Sequence, residues 1–223
     1  MTRTVWVKAD DSVGDWEARK RRITTAIEAG ADWVLVDEDD VGRVRDLGVI
    51  DVAAFLSDAD VVDGGGETAE ADAAFVGKGG EGDGTIDLPD DFAGSADLTT
   101  LRRRDDRAQG AYVRVLGTEY EAFAESAAAA ADITVVIGED WSIIPLENLI
   151  ARVGDETHLV AGATTAAEAR TAFETLELGA DGVLLDTDSP EEIRGAVEAR
   201  DAAERESLEL TTATVTAVEA TGM

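Results

Sequence analysis

Cysteine is absent from this 223-residue chain, and histidine occurs once, as His158. The first absence excludes disulfides, thiolate nucleophiles and sulfur-ligated metals. The second removes His-Glu-x-x-His zinc sites and argues against a Ser-His-Asp triad. No metal ligand set is assigned. Lysine is almost missing too, confined to Lys8, Lys20 and Lys78, so arginine carries nearly all the positive charge. Against 19 basic residues stand 49 acidic ones, for a formal net charge of −30. That sign argues against nucleic acid or an anionic membrane as partner. No apolar run approaches the ~18 residues of a membrane span, and the N-terminus has no signal-like apolar stretch. The expectation is a soluble, cytoplasmic protein that acts on a small molecule. A carboxylate coat with so few lysines also suggests a cytoplasm of very high salt. There the Debye length falls to ~3 Å at 1 M, and self-repulsion is screened.

What is present is globular: 44% hydrophobic residues with 30% charged. The length suits one α/β barrel domain. Val5–Ala9 reads as a first strand, with Trp6, Lys8 and Asp10 on one face and Val5, Val7 and Ala9 on the other. Asp15 can cap a helix that starts at Trp16 and stops at Gly30, with Arg19–Arg22 on its solvated side. Next comes Gly30-Ala-Asp-Trp-Val-Leu-Val-Asp-Glu-Asp39, which shares seven of ten positions with Gly179-Ala-Asp-Gly-Val-Leu-Leu-Asp-Thr-Asp188. Ala131–Asp140 is a weaker third copy. A unit of helix, Ala-Asp, buried strand and terminal acid that recurs along a chain is the pattern of repeated βα units. Near-continuous Val, Leu and Ile imply strands buried on both faces, hence a parallel sheet.

Further strands are expected at Ile50–Leu56, Ala73–Gly77, Ala111–Leu116, Ile133–Ile137, His158–Ala161 and Gly182–Asp186. Helices follow at Thr118–Ala130, Pro145–Val153, Thr165–Leu178 and from Ser189-Pro190 to Glu206. Eight strands, most followed by a helix, predict an α/β fold of the (β/α)8 barrel type over residues 1–206, ahead of an open doubly wound sheet. Residues 57–110 read as a long irregular insertion. Residues 207–223 alternate β-branched and small side chains and read as the start of a truncated β-rich module.

The most informative stretch is Gly138-Glu-Asp-Trp-Ser-Ile-Ile-Pro-Leu-Glu-Asn-Leu-Ile-Ala151. It reads as strand end, acidic-aromatic loop and helix, with Pro145 opening the helix. It resembles the most recognisable segment of the archaeal-type (type II) 3-dehydroquinate synthases. The opening Val5-Trp-Val-Lys-Ala-Asp10 with Asp15-Trp-Glu17, the run Gly179–Leu185 and the tail Ala213–Glu219 agree with it. The chain departs from the family pattern in two places. The middle, Gly64 to Gln109, is longer and more irregular, and the sequence stops at Met223 where the family continues into a β-rich part. The resemblance implies NAD-dependent oxidative deamination and cyclisation of 2-amino-3,7-dideoxy-D-threo-hept-6-ulosonate to 3-dehydroquinate. Two other readings stand beside it: a cofactor-free Schiff-base lyase or aldolase, and a non-catalytic remnant.

Candidate residues follow from position. Lys8, inside a strand and near its C-terminal end, can form a Schiff base or hold a carboxylate. Glu139 and Asp140 are candidate bases on the loop after the sixth strand. Asp10, Asp37 and Asp186 end strands and are assigned with Trp141 to substrate or cofactor binding; on a barrel these acids share one rim. Gly77-Lys-Gly-Gly-Glu-Gly82 matches G-x-G-x-x-G, but no helix follows, so it reads as a flexible loop. Arg102-Arg-Arg104 beside Asp105 and Asp106 reads as a solvated charge run, and His158 as structural. The charge of −30 leads to a first prediction. The melting temperature should rise from low to multimolar KCl; a flat or falling curve would contradict the high-salt reading.

Overall fold

Eight stretches of small and branched apolar residues form the strands of one sheet: β1 (Thr4–Lys8), β2 (Trp33–Asp37), β3 (Asp51–Phe55), β4 (Ala73–Val76), β5 (Ala108–Val115), β6 (Ile133–Gly138), β7 (His158–Ala163) and β8 (Gly182–Leu185). Each pairs in parallel with the next in chain order, and β8 returns to β1, so the sheet closes into a barrel. The described helices are α1 (Trp16–Ala29), α2 (Val41–Arg45), α3 (Thr118–Ala128), α4 (Leu146–Val153), α5 (Ala166–Glu174) and α6 (Pro190–Glu206). The expected (β/α)8 barrel is what the chain forms. This computed structural model describes residues 2–55, 70–78, 108–115, 118–138, 146–154, 156–176 and 179–206. The β-rich module expected at 207–223 lies outside them, as does most of the insertion expected at 57–110. Within that stretch β4 forms where a strand is expected, and β5 begins at Ala108 instead of the expected Ala111, so it takes in the last residues of the expected insertion. Among the described residues, no helix is long and apolar enough to cross a membrane.

The period of two sorts each strand into a helix-facing and a barrel-facing set. Val5, Val7 and Ala9 pack into the layer between sheet and helices, while Trp6 enters the barrel with Leu35, Phe75, Tyr112 and Leu184. The interior is closed by matching large rings to missing side chains. A Cβ on Gly110 would lie 2.3 Å from the Phe75 ring, so only glycine leaves that ring its place. Trp6 stacks on Trp33 at 4.5 Å between centroids, and its indole N–H donates to Thr4 Oγ1 at 2.8 Å. Thr4 Oγ1 also bonds His158 Nε2 at 2.9 Å, so the polar tips at the bottom of the barrel are satisfied. Burial pushes the His158 imidazole below its ordinary value, against the pull of Asp181.

The Ala-Asp pairs explain how the barrel is pinned at its N-terminal end. Asp32 donates its backbone N–H to Val5 O and accepts Val5 N–H on its carboxylate, each at 2.8 Å. Asp72 does the same with Val52, Asp132 with Gln109, and Asp181 with Leu159. Every even strand is thus preceded by an Ala-Asp whose aspartate clamps one residue of the odd strand before it. The three Ala-Asp copies legible in the sequence are joined by Ala71-Asp72, which the irregular appearance of the surrounding stretch hides. The clamp satisfies N–H groups at strand starts that a closed barrel would otherwise leave short of acceptors. Asp181→Ala should strip the carboxylate acceptor from Leu159 N–H and lower unfolding stability by ~1–3 kcal/mol, the cost of an unmet buried donor. Denaturant titration in high salt measures it; a change below ~0.5 kcal/mol would show that the side-chain half of the clamp is dispensable.

Candidate active site

All eight strands point their C-terminal ends at one rim, the face where barrel enzymes place their chemistry. Lys8 is the last residue of β1, Asp37 the last of β2, and Asp186 follows β8 directly. Asp10 lies two residues past β1, and Lys78 two residues past β4. Alternation turns Lys8 inward, and its side chain is 13% exposed. Asp10 lies deeper, with 2% of its surface exposed.

These groups form a line of alternating charge. Lys8 Nζ donates to Asp186 Oδ2 at 3.2 Å and to Ser12 Oγ at 2.9 Å. Ser12 Oγ donates to Asp10 Oδ1 at 2.5 Å, while Lys8 itself stays 3.7 Å from that oxygen. The other Asp10 oxygen faces Lys78 Nζ at 3.6 Å. Lys78 also donates to Asp11 Oδ1 at 2.7 Å and to Asp37, and it lies 5.5 Å from the centre of the Phe55 ring. Asp37 accepts Asp11 N–H at 2.7 Å, so the loop after β1 is tied to the end of β2.

Two arginines of α1 complete the line, and here the solvated run expected at Arg19–Arg22 is corrected. Arg22 is buried: it donates to Asp186 Oδ1 at 2.7 Å, to Lys8 O at 3.0 Å and to Asp188. Arg19 pairs with buried Asp40 and lies 3.9 Å from Asp37. Only Arg21 of the run is fully turned to solvent. The reason is rotational. Arg19 and Arg22 each lie four residues before a core residue, Ile23 and Ala26, and three residues from each other, so they share the inner side of α1 and extend up to the acidic rim.

The fields of these charges act on Asp186, Asp11 and Lys78. Partial burial raises the Asp186 carboxyl, yet Lys8 and Arg22 outweigh it and keep the group below the usual carboxylate range. The hydrogen bond from Lys78 pulls Asp11 down. Burial would lower the Lys78 ammonium, but its hydrogen bonds to Asp11 and Asp37 hold it above the ordinary lysine value. Below them Tyr112 faces up from β5; burial, with the Asp10 and Asp186 charges near, pushes its phenol up.

Of the residues named from the sequence, Lys8, Asp10, Asp37 and Asp186 are brought together on this rim. Glu139, Asp140 and Trp141 lie outside the described residues, though β6 ends at Gly138 on the same rim. The Arg102–Arg104 run also lies outside them. Sequence reasoning missed Lys78, Ser12, Arg19 and Arg22. Lys78 was hidden by its glycine-rich surroundings, although a chain with three lysines that places one at a strand end offered a signal.

The cofactor implied by the family resemblance needs a place for its pyrophosphate. Barrels commonly bind phosphate beside β7 and β8, at a helix N-terminus. Here the carboxylate of Glu168 accepts from Thr164 N–H at 2.7 Å, and that of Glu192 accepts from Ala166 N–H at 2.5 Å. Two donors at and just before the start of α5 are therefore taken by the chain's own acids, which place negative charge where a pyrophosphate at this helix end would sit.

Comparison with known proteins agrees with this architecture. The chain is similar to the 3-dehydroquinate synthase of Natronomonas pharaonis, with 69% identity over 100% of this chain and 58% of the relative. It is also similar to that of Haloarcula marismortui, with 66% identity over the same shares. The chain thus spans 58% of the length of these two relatives. Among solved structures, thiamine phosphate pyrophosphorylase from Pyrococcus furiosus shares the fold, with a TM-score of 0.58 and 15% identity over 90% of this chain and 96% of that one. Residues 2–200 match the family described as 3-dehydroquinate synthase II N-terminal domain. The chain belongs to the 3-dehydroquinate synthase II family, and the barrel is its N-terminal domain.

Proposed function

We propose that this barrel carries the substrate-binding and carbonyl chemistry of a 3-dehydroquinate synthase. The enzyme would oxidatively deaminate 2-amino-3,7-dideoxy-D-threo-hept-6-ulosonate and close the product to 3-dehydroquinate in aromatic amino-acid biosynthesis. Two things support this reading: family membership over nearly the whole chain, and a rim that pairs a strand-end lysine with carboxylates. NAD⁺ supplies the hydride acceptor in this reaction when bound. Glu168 and Glu192 set negative charge at the start of α5, and the roles below are those of the barrel's own side chains.

The substrate carries an amine, a carboxylate and a methyl ketone. Of the strand-end acids, Asp186, with 47% of its side chain exposed, and Asp37, with 22%, are more open than Asp10, with 3%, and suit the substrate's ammonium group. That amine must be neutral before hydride can leave the carbon that bears it, so a rim carboxylate has to take a proton. Once the amine has been replaced by a carbonyl, ring closure is an intramolecular aldol addition. The methyl next to the ketone must lose a proton and attack the new carbonyl carbon. A lysine amine lowers that barrier by converting the ketone to an imine and then an enamine. Lys8 is set for this at the mouth of the barrel, with a proton acceptor within reach.

The observation that carries the reading is Lys8 itself, at the end of β1 and held from two sides by Asp10 and Asp186. Lys8→Met should abolish 3-dehydroquinate formation in the full-length protein. The melting temperature should change little, because Asp10 keeps Lys78 and Asp186 keeps Arg22 as counter-charge. Wild-type turnover by the variant would reduce Lys8 to a packing residue. Product release by the wild-type protein without any NADH absorbance would favour a cofactor-free Schiff-base lyase on the same rim.

A further inference from the structure

A lysine becomes a nucleophile only after it loses a proton, and the fold provides a route for that proton. Lys8 Nζ is 3.7 Å from Asp10 Oδ1, too far for a hydrogen bond. Ser12 fills the gap, accepting from Lys8 at 2.9 Å and donating to Asp10 at 2.5 Å. A hydroxyl can do both at once. The second Asp10 oxygen faces Lys78 at 3.6 Å, which leaves Oδ1 to the serine. Ser12 is exposed, on the short turn Asp11–Val13 that follows β1. Ammonium, hydroxyl and buried carboxylate therefore lie in one hydrogen-bonded line.

We propose that Ser12 is the relay through which the Lys8 ammonium passes its proton to Asp10, so that Lys8 becomes the free amine that attacks the ketone. This rests on the reading of Lys8 as the amine of the cyclisation. In the forward direction Lys8 gives a proton to Ser12 Oγ as the serine's own proton moves to Asp10 Oδ1. The Lys8 nitrogen pair then forms a bond to the ketone carbon, and the carbonyl π pair moves onto oxygen. One proton passes from the new ammonium nitrogen to that oxygen, giving a carbinolamine. Asp10 returns its proton along the same line to the carbinolamine hydroxyl, the C–O bond breaks, and water leaves. What remains is a protonated imine on Lys8 and an ionised Asp10, so charge and protons balance with no outside reactant. Asp10 and Ser12 do not need to touch the substrate's carbon skeleton; they act on Lys8 and on the departing oxygen.

The test uses the full-length protein, the aminoheptulosonate substrate with NAD⁺, and borohydride to trap the imine, with peptide mass analysis to place the adduct. Wild-type protein should be trapped on Lys8. Ser12→Ala should trap at a rate lower by roughly 10²–10⁴-fold, the usual worth of a positioned proton transfer, with kcat reduced and KM little changed. Ser12→Thr, which keeps the hydroxyl, should restore most of the rate. A turn-closing role for Ser12 predicts otherwise: a lower melting temperature, with trapping and kcat unaltered at temperatures where the variant is folded. If folded Ser12→Ala traps on Lys8 at the wild-type rate, the relay is wrong and the Lys8 reading survives. If wild-type protein forms no adduct on Lys8 while it turns over, both fall.

Discussion

A carboxylate with 2% of its surface exposed has to be given counter-charge, and Asp10 draws it from two separate strands. Lys8 ends β1 and Lys78 follows β4, at 3.7 and 3.6 Å from its two oxygens. Burial of a charge is tolerated only where partners and hydrogen bonds meet it. The rest of the rim follows from this demand. Lys8 needs Asp186 as well, Asp186 needs Arg22, and Lys78 is shared among Asp10, Asp11 and Asp37. The loop after β1 is drawn to the end of β2 by the same set. In a chain with so much negative charge, placing two of three lysines around one buried carboxylate concentrates scarce cations where chemistry needs them.

The opposite end of the barrel solves a different problem with the same residue type. Four Ala-Asp pairs sit before β2, β4, β6 and β8, and each aspartate closes a reciprocal pair of hydrogen bonds with the preceding odd strand. The barrel thereby repeats one junction four times, an Ala-Asp that ties each even strand to the odd strand before it. Aspartate pins the strands at the N-terminal end and carries the charge line at the C-terminal end. The extreme composition is therefore not only a surface adaptation. Closed packing between the two ends, with Gly110 under Phe75 and the Trp6–Trp33 stack, gives both a rigid frame.

Much of this was legible in the sequence because it is local or periodic. The alternation of Val5, Trp6, Val7 and Lys8 decided which side chains enter the barrel. The Gly-Ala-Asp repeat gave the βα unit, and Asp15 and Gly30 bounded α1. Strand-end placement put Lys8, Asp10, Asp37 and Asp186 on one rim. What escaped depends on contacts between residues far apart in the chain. Helical spacing from Ala26 sets Arg22 on the inner side of α1, but its partners Asp186 and Asp188 are distant in sequence, so the charge that receives it there was not legible locally. Lys78 sits among glycines, where composition points to a loop and only the pairing of β4 with β3 and β5 brings it to the rim. Ser12 becomes noticeable only when Lys8 and Asp10 are seen to be too far apart for a direct bond.

The account depends most on one buried carboxylate shared by two ammonium groups, and the scarcity of lysine makes that directly observable. Selective ¹⁵N labelling of lysine side chains yields signals from Lys8, Lys20 and Lys78 alone. Two of the three should exchange slowly with solvent, and both should shift in Asp10→Asn while the third stays in place. Three signals that exchange alike, or a substitution that moves neither of the two, would contradict the shared-carboxylate rim.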